Sequence, residues 1–406
     1  MLLILGVKSL SNPSPYSIET QLKAIQTLIQ TAKFDQAITQ IKTLLQETKD
    51  NEIPQDERIQ LYYLMAVAQR YNKAFPDALS SIETLLKLNT KYSRAYQEQG
   101  YNHLALNALT HAKTSFEKAV SLNPSLIASW QELIEIYRQE QHQENIQKAA
   151  NQLAKLKKLP PALLAVTENM HDGKFIKAEQ ICRHFLQQNK HHIEGMCLLA
   201  EIGIELKIYD DAEFLLATAI ELAPSHIFAR AQYLNLLIRL GKYKVAQQQV
   251  KILLDAQPNN LSFKAAKANV LTGLGEIDQA IDLFKSVISE DNNTAGFYLQ
   301  LGHAYKAKGK IKEAIEAYQQ AYQKKPDFGD AYWSLANTKT YRFNDEEISQ
   351  MQALQQHKDL ALLDSIQIYF ATGKAFEDRQ EFNHAFHAYQ QGNQLQHQHN
   401  GFDIAK

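Results

Sequence analysis

Between Ala295 and Pro326 the apolar residues fall in two stripes. Tyr298, Leu301 and Tyr305 are spaced three and four apart, which places them on one face of a helix. After Gly309-Lys310 the same kind of spacing resumes at Ala314, Tyr318 and Ala321, so a second helix follows. Small residues stand where the two helices cross. Gly302 lets the second helix approach the backbone of the first, and Ala314 does the same from the other side. Pro326 cannot donate to a helix and ends the pair. The small residue of the second helix then marks a ladder. Ala178, Ala212, Ala246, Ala280 and Ala314 follow one another at 34 residues, as do Ala78, Ala112 and Ile146. A step of 32 crosses Pro160-Pro161 from Ile146 to Ala178, and a step of 41 separates Ala37 from Ala78. Ala385 lies beyond a weaker unit near Ile348, and Pro124, Pro224, Pro258 and Pro326 close their own units. The pattern predicts about eleven antiparallel helix pairs.

The run Tyr298-x2-Leu301-Gly302-x2-Tyr305, Ala314-x3-Tyr318-x2-Ala321, Pro326 resembles the tetratricopeptide (TPR) repeat at its diagnostic positions. The resemblance implies an all-α fold, a TPR-type α-solenoid. In it each hairpin covers its neighbour's apolar face, and the stack winds into a right-handed superhelix with a concave groove lined by first helices. The phase shifts suggest these divisions: a frayed N-terminus over 1–17, a first array over 18–160, a central array over 161–328, and degenerate units over 329–406. A kink or subdomain boundary is expected near 158–162.

Groove residues should lie between the core positions. At the 34-residue period, the position eight after the start of each unit holds Asn235, Asn269, His303 and Asn337. An amide offers one acceptor and two donors, so such a row can pair with the N–H and C=O of an extended peptide. It is similar to the asparagine ladder of the O-GlcNAc transferase repeat region. Earlier units depart from it with Glu201, Thr167 and Glu135. Arg239, Lys306 and Thr340 flank the row, and the basic set that grips C-terminal carboxylates in chaperone-binding repeats is not matched.

Charge and composition narrow the partners. Lys and Arg total 43 against 44 Asp and Glu, so no basic excess points to nucleic acid or an anionic membrane. The reading is a protein or peptide partner. No stretch reaches the ~20 apolar residues of a membrane helix. Met1–Lys8 lacks a basic lead and a clean cleavage site, so a cytoplasmic location is expected, consistent with only two cysteines, Cys182 and Cys197. Both sit at apolar helix positions, as inert buried thiols would. No phosphate loop, catalytic set or cofactor motif is present. His171-Asp172 marks a corner beside Gly173. The histidines His384, His387, His397 and His399 lack the geometry of a zinc site, and Glu346-Glu347 read as helix surface capped by Asn344 or Asp345.

Toward the C-terminus the sequence becomes more particular. Ala331-Tyr332-Trp333-Ser334-Leu335-Ala336-Asn337, Arg342-Phe343, and Phe370-Ala371-x-Gly373-Lys374-Ala375-x-Glu377-Asp378 resemble the last repeats of bacterial TPR-sulfotransferases. That family carries, after such repeats, a domain that uses the sulfate donor PAPS. Its Pro-Arg-Ser-Gly-Thr-like loop would begin near Phe402, and no residue up to Lys406 matches it. No catalytic or cofactor position carries over. The resemblance implies a non-catalytic, substrate-recruiting role. The principal reading from the residues is a protein-binding scaffold.

Overall fold

The computed structural model describes residues 18–47, 53–357 and 360–400. The expected frayed stretch 1–17 and the region of Phe402 lie outside them. Among the described residues every regular element is a helix, 22 in all, and within each unit most successive helices pack as hairpins. The chain divides into two compact units, Met1–Ile208 and Tyr209–Lys406. That division falls at 208/209, whereas the phase of the repeat pointed to 158–162.

The first unit holds α1 (Ile18–Gln30), α2 (Phe34–Glu47), α3 (Gln55–Tyr71), α4 (Phe75–Leu88), α5 (Ser93–Ala105), α6 (Leu109–Leu122), α7 (Ile127–Gln139), α8 (Gln143–Leu156), α9 (Pro161–His171), α10 (Phe175–Gln188) and α11 (Ile193–Glu205). The second holds α12 (Tyr209–Leu222), α13 (Ile227–Arg239), α14 (Tyr243–Ala256), α15 (Leu261–Leu274), α16 (Ile277–Glu290), α17 (Ala295–Ala307), α18 (Ile311–Lys324), α19 (Gly329–Ala336), α20 (Asp345–Gln355), α21 (Leu362–Asp378) and α22 (Phe382–Asn400).

The alanine ladder is the spine of the packing. Ala37, Ala78, Ala112, Ala178, Ala212, Ala246, Ala280 and Ala314 are fully buried, and Ala385 nearly so. Ile146 is the exception. It is half-buried, and α8 buries Ala149 instead. The corners inside the pairs are alike too. In ten of them the first helix ends in a residue with φ between 57° and 86°, from Ala32 to Gln380. The next N–H reaches back to the carbonyl five residues earlier, as from Lys310 to Tyr305 at 2.9 Å and from Ala74 to Gln69 at 2.8 Å. This is the Schellman closure, which satisfies carbonyls the helix end would leave open.

Two places break the succession. In the first unit, α9 docks on earlier elements: Arg94 of α5 donates to Glu168 at 2.6 Å, and Asp172 accepts from Ser93 at 3.2 Å and from Asn123 at 3.1 Å. The His171-Asp172 corner therefore ties α9 to α5 and the α6–α7 turn. In the second unit α19 has only eight residues, and the chain runs through an irregular segment before Asn344 caps α20 with a full capping box. Glu347, expected at the surface, is buried there. Its carboxylate accepts from Tyr322 Oη at 2.8 Å, Tyr341 Oη at 2.5 Å and the Asn344 N–H at 2.9 Å. Capping α20 and joining three segments of the largest core cluster require that carboxylate inside.

Candidate peptide-binding face

Within the second unit the first helices α13, α15 and α17 pack side by side, with axes of order 8–10 Å apart. Asn235, Asn269 and His303 occupy the same position on these three neighbours. Asn235 is exposed and Asn269 half-buried, and neither side chain makes a hydrogen bond to the protein. Those two amides are open to a ligand.

Of the other two members, His303 is engaged and Asn337 is displaced from the helical face. His303 turns toward its own hairpin, with Nδ1 2.9 Å from Tyr318 Oη and the two rings edge to face. Burial lowers its pKa; Asp330 pulls the other way, and Lys306 adds to the lowering. Asn337 comes after the short α19 as its C-terminal cap, and its carbonyl accepts from Lys306 Nζ at 3.2 Å. Thr340 is exposed in the irregular segment, not on a helix. The Arg239 guanidinium lies over the Tyr209 ring, 5.2 Å from its centroid. The early end of α19 is what moves Asn337 and Thr340 off the helical face.

One residue of this face escaped the periodicity argument. Phe228, seven before Asn235 and so on the same stripe of α13, is 60% exposed. Its signal was available: at the same place in the next two units stand Ser262 and Gly296, so a phenylalanine there is a departure toward apolar surface. Phe228, Asn235 and Arg239 thus present an aromatic ring, a free amide and a stacked guanidinium along one helix.

Cys182 and Cys197 are buried, and burial pushes both thiols up to about 12, so neither is a ready nucleophile. No group of three metal-ligating side chains occurs among the described residues, and no helix there is long and apolar enough to cross a membrane. His384 pairs with Glu381 at 2.9 Å, while the side chain of His399 lies outside the described set.

Comparison with known proteins agrees with the hairpin geometry. Models of the tetratricopeptide repeat match residues 93–126 and 234–294, and a TPR repeat model matches 302–339. The heat shock protein STI1 of Saccharomyces cerevisiae is 30% identical over 94 residues. That is 23% of this chain and 16% of the yeast protein, so the chain spans only a small part of that relative. Among solved structures, human IFIT1, a dimer with PPP-AAAA, aligns over 75% of this chain and 77% of its own at 18% identity and a TM-score of 0.45. A tetratricopeptide repeat protein of Parabacteroides merdae aligns over 69% and 98% at 16% identity and a TM-score of 0.42.

Proposed function

We propose that this all-α tetratricopeptide-repeat array is a protein-interaction scaffold that takes an extended peptide, or an extended segment of a partner protein, across α13, α15 and α17. The observation that carries the reading is the pair of unengaged amides, Asn235 and Asn269, on adjacent helices beside the exposed Phe228. Free amides on neighbouring helices grip peptide backbone without demanding a sequence, and a nearby exposed aromatic ring supplies an anchor. Exposed phenylalanine on a soluble surface costs solvation that a partner recovers.

The test is affinity capture from the source cells with wild-type protein and with an N235A/N269A/F228A variant, compared by quantitative mass spectrometry. The variant should retain its helical content and lose partners that the wild type holds. An unchanged partner set would remove this reading.

A second reading rests on residues 326–396 and their resemblance to the repeats of TPR-sulfotransferases. On it, the chain recruits protein substrates for a PAPS-dependent catalytic domain outside these 406 residues. No residue of the chain matches the donor loop, so the purified protein is expected not to bind PAPS. Sequencing the gene beyond codon 406 decides it, and a stop codon with no donor-loop frame nearby discards it.

A further inference from the structure

Most inner hairpins bury the residue seven positions into their unit, with Gln99 and Ala165 half-buried there. Met65, Leu133, Leu199, Tyr233 and Leu301 hold that place at 8% exposure or less. In α15 the place is taken by Lys267, and it is exposed. A lysine at a core position leaves a gap, and the facing helix does not fill it. In α18 the corresponding face carries Tyr318 and Tyr322, and in α16 Phe284 and Ile288; in α14 it carries Val250 and Leu254. Smaller side chains on α14 and a displaced one on α15 open a cavity of about 410 Å³ between the two helices. The helices themselves have not parted. Away from the cavity, the Tyr243 ring of α14 presses on the bare Cα of Gly273 in α15.

The cavity has a buried floor and a charged edge. Val250 and Leu271 line its base at 2% and 6% exposure, with Leu254 beside them. Lys251, Lys267 and Asp255 stand at the mouth, all exposed, and none is held in an ion pair. Two unpaired ammonium groups against one carboxylate give the mouth a net positive charge over an apolar base. The volume lies in the range of sites that hold several side chains or a small ligand. Neither Asn235 nor Asn269 lines it.

We propose that the α14–α15 cavity is a second peptide-docking site, which seats an aliphatic or aromatic side chain of a partner flanked by aspartate or glutamate. The inference rests on the scaffold reading above but not on its amide row. The apolar side chain takes the place that a core leucine fills in other hairpins. The flanking carboxylates pair with Lys251 and Lys267, and a basic peptide of the same shape is rejected because it would desolvate both ammonium groups against like charge.

The probe is a fluorescein-labelled peptide alternating aspartate with leucine and phenylalanine, with a lysine-for-aspartate analogue as control. Binding is read by polarisation, and position by the methyl resonances of Val250, Leu254, Val270 and Leu271. The acidic peptide should bind, shift those methyls and weaken at high salt; the basic analogue should not bind. Lys267→Leu copies Leu301 and so keeps the hairpin folded; it should reduce affinity at least about tenfold. N235A/N269A should leave this binding unchanged. Unaltered affinity in Lys267→Leu overturns the site. Unmoved cavity methyls with binding lost in N235A/N269A also overturn it, while leaving the amide row standing. If 4-phenylbutyrate shifts the methyls and the peptide does not, the occupant is a small anion, and the peptide assignment fails.

Discussion

The ring of Tyr318 rests on the bare Cα of Gly302, so close that a single methyl there would overlap it. The two residues are 16 apart, one on each helix of a hairpin, and the pairing recurs as Gly100 with Phe116 and Gly373 with Tyr389. Other hairpins hold Ala66 with Ile82, Ile134 with Ala150 and Ala268 with Phe284 at this spacing. The two side chains together fill the crossing.

Gly302→Ala should therefore destabilise the chain by about 1–2 kcal/mol, overpacking outweighing the ~1 kcal/mol gain in helix propensity. Gly296→Ala, where a methyl meets open space, should stabilise by about 0.5–1 kcal/mol. Urea midpoints compare the two. Equal shifts for both variants would mean that the crossing contact does not limit packing.

His303 supplies a pH dependence. Burial lowers its folded pKa, whereas unfolded histidine titrates near ~6.5. The unfolded chain then binds more protons as pH falls, so this contribution is fully present above that value and is lost on acidification below it. The wild type should lose more stability than His303→Asn between pH 7.5 and 5.5, measured by urea unfolding at each pH. Parallel curves for the two proteins would show that His303 is not the sensitive group.

Glu347 should be the costliest single carboxylate in the second unit. Glu347→Ala leaves two tyrosine hydroxyls and a backbone N–H without their acceptor, an expected loss of about 3 kcal/mol; Glu347→Gln keeps an acceptor and should cost about 1. A lower urea midpoint with unaltered slope is the signature sought. No difference between the variants would place the carboxylate in water.

The helix corners offer a gain. Lys207 adopts φ 62° where the equivalent residues at other corners include Gly241 and Gly309. Lys207→Gly should raise stability by up to about 1 kcal/mol, and Gly309→Ala should lower it by a similar amount. Thermal unfolding of both reads the sign directly.

Much of this was legible in the chain. The spacing of Ala178 to Ala314 named the buried side of each second helix, because a helix crossing tolerates only a small residue and the hairpin length fixes its period. A cap at Asn344 or Asp345 was legible from their place ahead of an acidic turn, and the structure assigns it to Asn344. Other features were not. Nothing local to Glu346-Glu347 distinguishes the solvated carboxylate from the buried one; that depends on Tyr322, 25 residues away. Nor could the 34-residue period show that α19 stops after eight residues and carries Asn337 off the helical face, since the period continues past the break.

Local chemistry determined the helices, their pairing and the small residues at their crossings, because each hairpin uses contacts within about one repeat. Tertiary packing alone decided which polar side chains stay free. His303, Lys306 and Arg239 were claimed by neighbours that only the assembled unit brings near, and Asn235, Asn269, Lys251 and Lys267 were left to solvent. A side chain's availability is set by what packs around it, and that is a property of the stack.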